Sequence, residues 1–142
     1  MPRDPNCIFC KIAASAIPAS VVYEDKHVVA FLDINPLSEG HILVIPREHC
    51  ANIADMPAEE CTQLFSIVPM LGRALLEVTR AAGFNVLLNS GAAAGQVVPH
   101  VHCHLVPRKP GDGLGYRWNA GKYAAGRDVE LTAAYRKCLG RS

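Results

Sequence analysis

The chain opens with short runs in which apolar residues cluster between polar breaks. Val21–Glu24 and Val28–Leu32 are rich in β-branched and aromatic residues, and Asp25 and Lys26 part them, so two strands are predicted. Asp33-Ile34-Asn35-Pro36 and Ser38-Glu39-Gly40 are turn chemistry. Residues 41–46, HILVIP, form a continuous apolar run that predicts a buried strand. From 56 to 82 the period becomes helical. Leu64, Ile67, Val68, Leu71, Leu75 and Val78 make one apolar stripe, Pro57 suits the first turn, and Pro69 predicts a kink. Gly83 is the expected stop. Strands are predicted over 84–89 and 101–106, the second closed by Pro107. Residues 7–14 read as a short helix with Asn6 as its N-cap, and 128–139 as a terminal helix.

Strands joined by short turns pair antiparallel, so the class is α+β: an antiparallel sheet of about five strands, one long helix and one short helix. A chain of 142 residues fits one domain over 1–142, with a core at 7–108 and a variable tail at 109–142. Half of the residues are apolar, 19% are charged, and the net charge is +1. This balance argues against a broad electrostatic grip on nucleic acid or on a membrane surface. Residues 1–6 lack an apolar signal core, and no stretch of about 18 apolar residues is visible. A cytoplasmic protein is expected, and its six cysteines should be thiols or metal ligands. The GDGLG at 111–115 follows two prolines and opens no helix, so it is not a dinucleotide fingerprint.

The densest chemistry is His100-Val101-His102-Cys103-His104. On a strand the three histidines share one face, roughly 6.6 Å apart, while Val101, Cys103 and Leu105 point into apolar surroundings. Three readings compete: a solvated polar face, a metal triad, and a nucleophilic histidine with helpers. The glycines of the preceding loop, SGAAAGQ, let backbone N–H groups approach an anion closely, and Asn89 and Gln96 add amide donors. No carboxylate lies between Asn89 and His104, although a mononuclear catalytic metal often recruits one. The context favours phosphate.

His-Val-His-Cys-His-Leu-Val resembles the repeat of the histidine triad family of nucleotide hydrolases and transferases. NCIFCKI, FLDINP, HILVIP with His49 after it, and NSGAAAGQ extend the likeness over about 7–108. The resemblance implies an α+β fold whose sheet pairs across a homodimer. It also implies that His102 attacks an α-phosphate to form a covalent nucleotidyl-histidine that water cleaves, a backbone carbonyl holding the other ring nitrogen. His104 would contact the α-phosphate, with His41 a fourth histidine beside it. Asn89 and Gln96 would meet phosphate or ribose, and Asp33 the ribose hydroxyls. Phe9, Ile12, Phe31, Ile34 and Leu43 would form the base slot, though each also fits plain core. Cys7 and Cys10 form a CxxC that fits two buried thiols. By resemblance to zinc-bearing relatives they join His49 and His100 in a structural Zn2+ site with no organic cofactor.

One departure stands out. Val97 follows Gln96 where the family carries Ser or Thr, and valine cannot donate a hydrogen bond to the leaving group. The expectation is therefore a slow hydrolase releasing a purine, adenosine-containing, nucleoside monophosphate. Its substrates would be phosphoramidates or dinucleoside polyphosphates, with Arg108 and Lys109 leaning toward the latter. The alternatives are a nucleotide-binding regulatory protein with vestigial catalysis and a metallohydrolase using the triad as ligands. Cys50, Cys61 and Cys138 carry no signal. Tyr116 and Trp118 in the glycine-rich tail are candidate interface anchors.

Overall fold

The computed structural model describes residues 3–115 and 120–140. Tyr116 and Trp118 lie outside the described residues. Five strands are present: β1 (Val21–Glu24), β2 (Val28–Leu32), β3 (Ile42–Pro46), β4 (Gly83–Leu88) and β5 (Cys103–Arg108). They make one antiparallel sheet in the order β1-β2-β3-β5-β4. The α+β class and the five-stranded antiparallel sheet are as expected. The helices are α1 (Ile8–Ala13), α2 (Ala58–Ser66), α3 (Val68–Thr79) and α4 (Arg127–Cys138).

Alternation along the strands builds two cores. Val28, Ala30, Ile42, Val44, Cys103 and Leu105 face Leu64, Leu71 and Leu75 of α2 and α3. Val29, Phe31, Leu43 and Ile45 face Phe9, Cys10 and Ala13 of α1. The sheet is thus buried on both faces, which explains why β2 and β3 read as apolar runs. Leu43 pairs with His104 across β3 and β5, so the histidines belong to the α1 side.

Several boundaries differ from expectation. Cys7, not Asn6, caps α1, its sulfur accepting the Cys10 N–H. The long helix is two helices, parted at Ile67. Pro69 has no N–H, and its ring would collide with the carbonyl four residues back, so it takes the first turn of α3 instead. Gly83 does not stop that helix but opens β4. Arg80 ends α3 in the left-handed region at φ 59°, while Thr79 Oγ1 donates to the Leu75 carbonyl and accepts the Ala81 N–H. Val78 leaves the stripe and is 80% exposed. Ala58–Thr79 is, by length and composition alone, apolar enough to cross a membrane, and Leu64, Leu71 and Leu75 turn that apolarity onto the sheet.

The last strand begins at Cys103 and includes Pro107. The Pro107 carbonyl accepts Ser38 Oγ–H at 2.7 Å, so the proline's ring nitrogen faces the flank where β3 has already ended. His100 and His102 precede the strand. There Pro99 lacks a donor, the Val101 N–H turns to the Cys50 carbonyl at 2.7 Å, and the ladder gives way to side-chain bonds. Before β3, Gly40 has φ +91°, and a Cβ there would strike Thr79, so only glycine brings His41 into line beside α3.

Candidate active site

His49, His100, His102, His104 and His41 stand in a chain of ring contacts against Phe9. Ring centroids lie 5.2 Å apart for His49 and His100, 5.0 Å for His102 and His104, and 5.1 Å for His104 and His41. Phe9 meets His100 at 5.9 Å and His102 at 5.0 Å, both edge to face. His100, His102 and His41 are buried. Val101, Cys103 and Leu105 lie in the opposite core, as the alternation predicted, although only His104 of the three histidines sits on a regular strand.

Backbone partners that can only donate or only accept fix the protons of His102, His100 and His41, and His41 in turn fixes that of His104. His102 Nδ1 donates to the His100 carbonyl at 2.7 Å, so His102 Nε2 keeps its lone pair. His100 Nε2 donates to the Pro46 carbonyl at 2.8 Å, so the lone pair on Nδ1 faces Cys7 Sγ at 3.4 Å and Cys10 Sγ at 3.5 Å. The Leu37 N–H donates to His41 Nδ1 at 3.1 Å, so His41 carries its proton on Nε2. That proton points at His104 Nδ1, 2.9 Å away, which leaves the His104 proton on Nε2. Burial lowers His41, and it holds His100 and His104 at about 4, with repulsion from His102 and His41 adding to the effect at His104. These three rings are neutral at pH 7. A buried row of neutral imidazoles, one lone pair and one N–H among them, suits a nucleophile beside an oxyanion donor.

The resemblance-derived contacts divide. Asp33 Oδ2 is 3.8 Å from His41 Nε2, beside the histidines. Phe9, Phe31 and Leu43 are buried together, with Ile12 half-buried against them, whereas Ile34 stands on the turn 87% exposed. Asn89 lies against Gly95. Gln96 is a brace: Oε1 accepts the Gly91 N–H at 2.8 Å, and Nε2 donates to the carbonyls of Ala51 and Val98 at 2.6 and 3.0 Å. The glycine N–H groups are likewise spent, Gly91 on Gln96 and Gly95 on the Ala92 carbonyl. Arg108 is also spent. It forks onto Asp112 at 2.7 and 3.0 Å and reaches Asn85 at 2.8 Å, which commits one of the two cations offered to polyphosphates.

Among the described residues, two groups have metal-ligand chemistry. One donor atom from each of Cys7, Cys10, His49 and His100 lies within 4.8 Å of the others. Cys7 Sγ accepts the Cys10 N–H and Cys10 Sγ accepts the Asp4 N–H, both at 3.4 Å. With the lone pair of His100 turned inward, this set fits a closed tetrahedral ion. Asp33, His41 and His104 are equally close to one another, but His41 Nε2 holds a proton and offers no lone pair. Nor can one ion collect the triad, since the Nδ1 atoms of His100, His102 and His104 face a thiol pair, a carbonyl and His41. Sequence reasoning missed the Leu37 N–H and the Pro46 carbonyl, backbone groups that carry no residue-type signal.

The sequence profile of the HIT domain matches residues 14–111, so the CxxC precedes the matched span. An adenosine 5'-monophosphoramidase of Schizosaccharomyces pombe is 43% identical over 118 residues, covering 80% of this chain and 83% of that protein. A crystal structure from Streptococcus mutans superposes with a TM-score of 0.92 at 41% identity, over 96% of this chain and 87% of the other. A zinc-bound histidine triad family protein of Mycobacterium smegmatis superposes at 0.74 with 36% identity, over 94% and 97%. With its profile matched over most of its length and its histidine row built on the same fold, the chain belongs to the histidine triad, or HIT, family.

Proposed function

We propose that the protein is a nucleotide hydrolase that releases a purine nucleoside monophosphate, with adenosine phosphoramidates as its substrate class. One observation carries this reading: His102 Nδ1–H is tied to the His100 carbonyl, so the lone pair of Nε2 is free beside the Nε2–H of His104. His102 Nε2 attacks the α-phosphorus, a P–N bond forms, and the bond to the leaving amine breaks with its electron pair departing on the nitrogen, which takes a proton from water. Water then cleaves the nucleotidyl-histidine. His104 Nε2–H donates to a phosphate oxygen as charge builds. Asp33 accepts from the ribose hydroxyls, and Asn89 adds an amide. Phe9, Ile12, Phe31 and Leu43 wall the base slot, with Ile34 covering it when the base is bound. Gln96 acts by bracing the loop. The phosphoramidase name of a relative supports the substrate class, and the engagement of Arg108 weighs against polyphosphates. Val97 is 89% exposed and brings no hydroxyl, so slow turnover belongs to this reading.

Cys7, Cys10, His49 and His100 would hold Zn2+ as scaffold, anchoring the nucleophile's segment to α1, and no step runs through it. Free cysteines fit a cytoplasmic setting. The open flank of β4, an edge strand with Val86 exposed on it, is where the sheet would pair in a homodimer.

The test is hydrolysis of an adenosine phosphoramidate by the wild type and by His102→Ala. Turnover should be lost in the variant by about a thousandfold or more, the scale of removing a nucleophile, and acid-quenched wild type should carry AMP on His102. Tight AMP binding without turnover, unchanged in His102→Ala, would make the protein a nucleotide-binding regulator instead.

A further inference from the structure

His41 has one proton and two acceptors for it. Its Nδ1 is committed to the Leu37 N–H in the turn before β3, so only Nε2–H is available. That hydrogen points at His104 Nδ1 at 2.9 Å, and the carboxylate of Asp33 waits 3.8 Å away. The two acceptors serve opposite ends of the substrate in the reading above, Asp33 the ribose and His104 the phosphate. A carboxylate is the stronger acceptor, and a small turn of the imidazole would bring it within reach. If the proton went there, His104 Nδ1 would lose its donor. The His104 proton could then sit on either nitrogen, and a bare Nε2 would repel a phosphate oxygen instead of donating to it.

We infer that His41 is a positioning residue that couples the ribose end of the site to the phosphate end, by holding His104 in its Nε2–H form when Asp33 is occupied by the ribose hydroxyls. Two hydroxyls on Asp33 satisfy the carboxylate with donors of their own. The His41 proton then stays on His104, and the phosphate meets a donor already aimed. A nucleotide without the 2′,3′-diol leaves Asp33 as a second acceptor 3.8 Å from the same proton, so the 2.9 Å bond to His104 is held less firmly than with the diol in place. The ribose therefore contributes to the rate of the chemical step as well as to affinity. His41 itself touches no substrate in this account, because both of its nitrogens are engaged within the protein.

This inference rests on the nucleotide-hydrolase reading, and the experiment separates the two. The tautomer of His104 is read by long-range 1H–15N correlation in the wild type with saturating AMP and with 2′,3′-dideoxy-AMP. AMP should give a pure Nε2–H pattern at His104, and the dideoxy nucleotide a mixed one. In parallel, kcat and KM are measured for the ribose and dideoxy forms of one phosphoramidate in wild type, His41→Gln and His41→Phe. Glutamine keeps an N–H near the place of Nε2 and should hold kcat within a few-fold. Phenylalanine should cost about ten- to a hundredfold in kcat, the range for losing a group that orients a working histidine. In that variant KM should change little, and the dependence of kcat on the diol should vanish. An identical His104 tautomer with both nucleotides, or a diol dependence of kcat that survives His41→Phe, overturns the coupling while leaving hydrolysis intact. Absence of wild-type turnover would sink the hydrolase reading alone, because the tautomer measurement needs only bound AMP; if AMP fails to bind, both fall.

Discussion

At the scale of single residues, the site works by assigning protons. Four imidazoles would be interchangeable on chemistry alone, yet each is given a different task by a backbone or side-chain partner: the carbonyls of His100 and Pro46, the Leu37 N–H, and His41. Burial then keeps His104 neutral far below the pH at which a free histidine is charged. This carries a consequence for stability. In the unfolded chain His104 takes up a proton near 6.5, while in the fold it does so only at about 4. Between those values the unfolded state binds more protons, so stability rises with pH. The contribution is fully present above 6.5 and is lost as the pH falls through 4. Urea midpoints measured from pH 7 to pH 4 should therefore fall, and His104→Gln, which cannot titrate, should show a shallower acid-side slope. Equal slopes in the two proteins would count against the placement of His104 among the buried rings.

At the scale of elements, α3 is set against β4 by a single missing side chain. A Cβ on Gly72 would strike the ring of Phe84, so the helix approaches the strand only because residue 72 has none. Alanine is the better helix former by about 1 kcal/mol, but overpacking a well-filled site costs about 1–3 kcal/mol. Gly72→Ala should therefore lower the unfolding free energy by up to about 2 kcal/mol, read by urea titration with an unchanged m-value; a gain in stability would mean that Phe84 has room to turn away. Elements of this kind show what the sequence could carry. The apolar runs that became β2 and β3 and the stripe through Leu64, Leu71 and Leu75 were legible, because burial repeats at the period of the backbone. The start of β5 was not. His100 and His102 alternate like strand residues, but their ladder partners are replaced by the Cys50 carbonyl and by ring-to-carbonyl bonds, and a pattern of residue types does not say where hydrogen bonds go. Nor does residue type reveal that the Gly91 N–H bonds to Gln96 and the Gly95 N–H to the Ala92 carbonyl.

At the scale of the whole molecule, α1 is an element that the histidine site leans on and that cannot stand by itself. It is six residues long, too short to hold itself as a helix in water. Its inward residues nevertheless supply Phe9, which packs edge-on against both His100 and His102. The Cys7, Cys10, His49 and His100 set joins α1 to the segment after β3 and to the nucleophile's own run, so an ion there would clamp three stretches far apart in sequence. Clamping of that kind binds the folded state and not the unfolded one, and so stabilises by mass action. Protein purified without a polyhistidine tag should contain about one zinc per chain, as a closed four-ligand site requires. Stripping it with a strong chelator should lower the melting temperature, each ~1 kcal/mol lost being worth about 3–5 °C in a domain of this size. Activity should decline in step with that loosening, because Phe9 and His100 lose their anchor while His102 keeps its lone pair. His49→Gln should reproduce the lowered melting point and still form the nucleotidyl adduct on His102 at low temperature. Well under one zinc per chain, with a melting point indifferent to chelation, would show that the thiols and imidazoles hold α1 by packing alone; instant loss of activity on chelation with the melting point unmoved would instead put the ion in the chemistry.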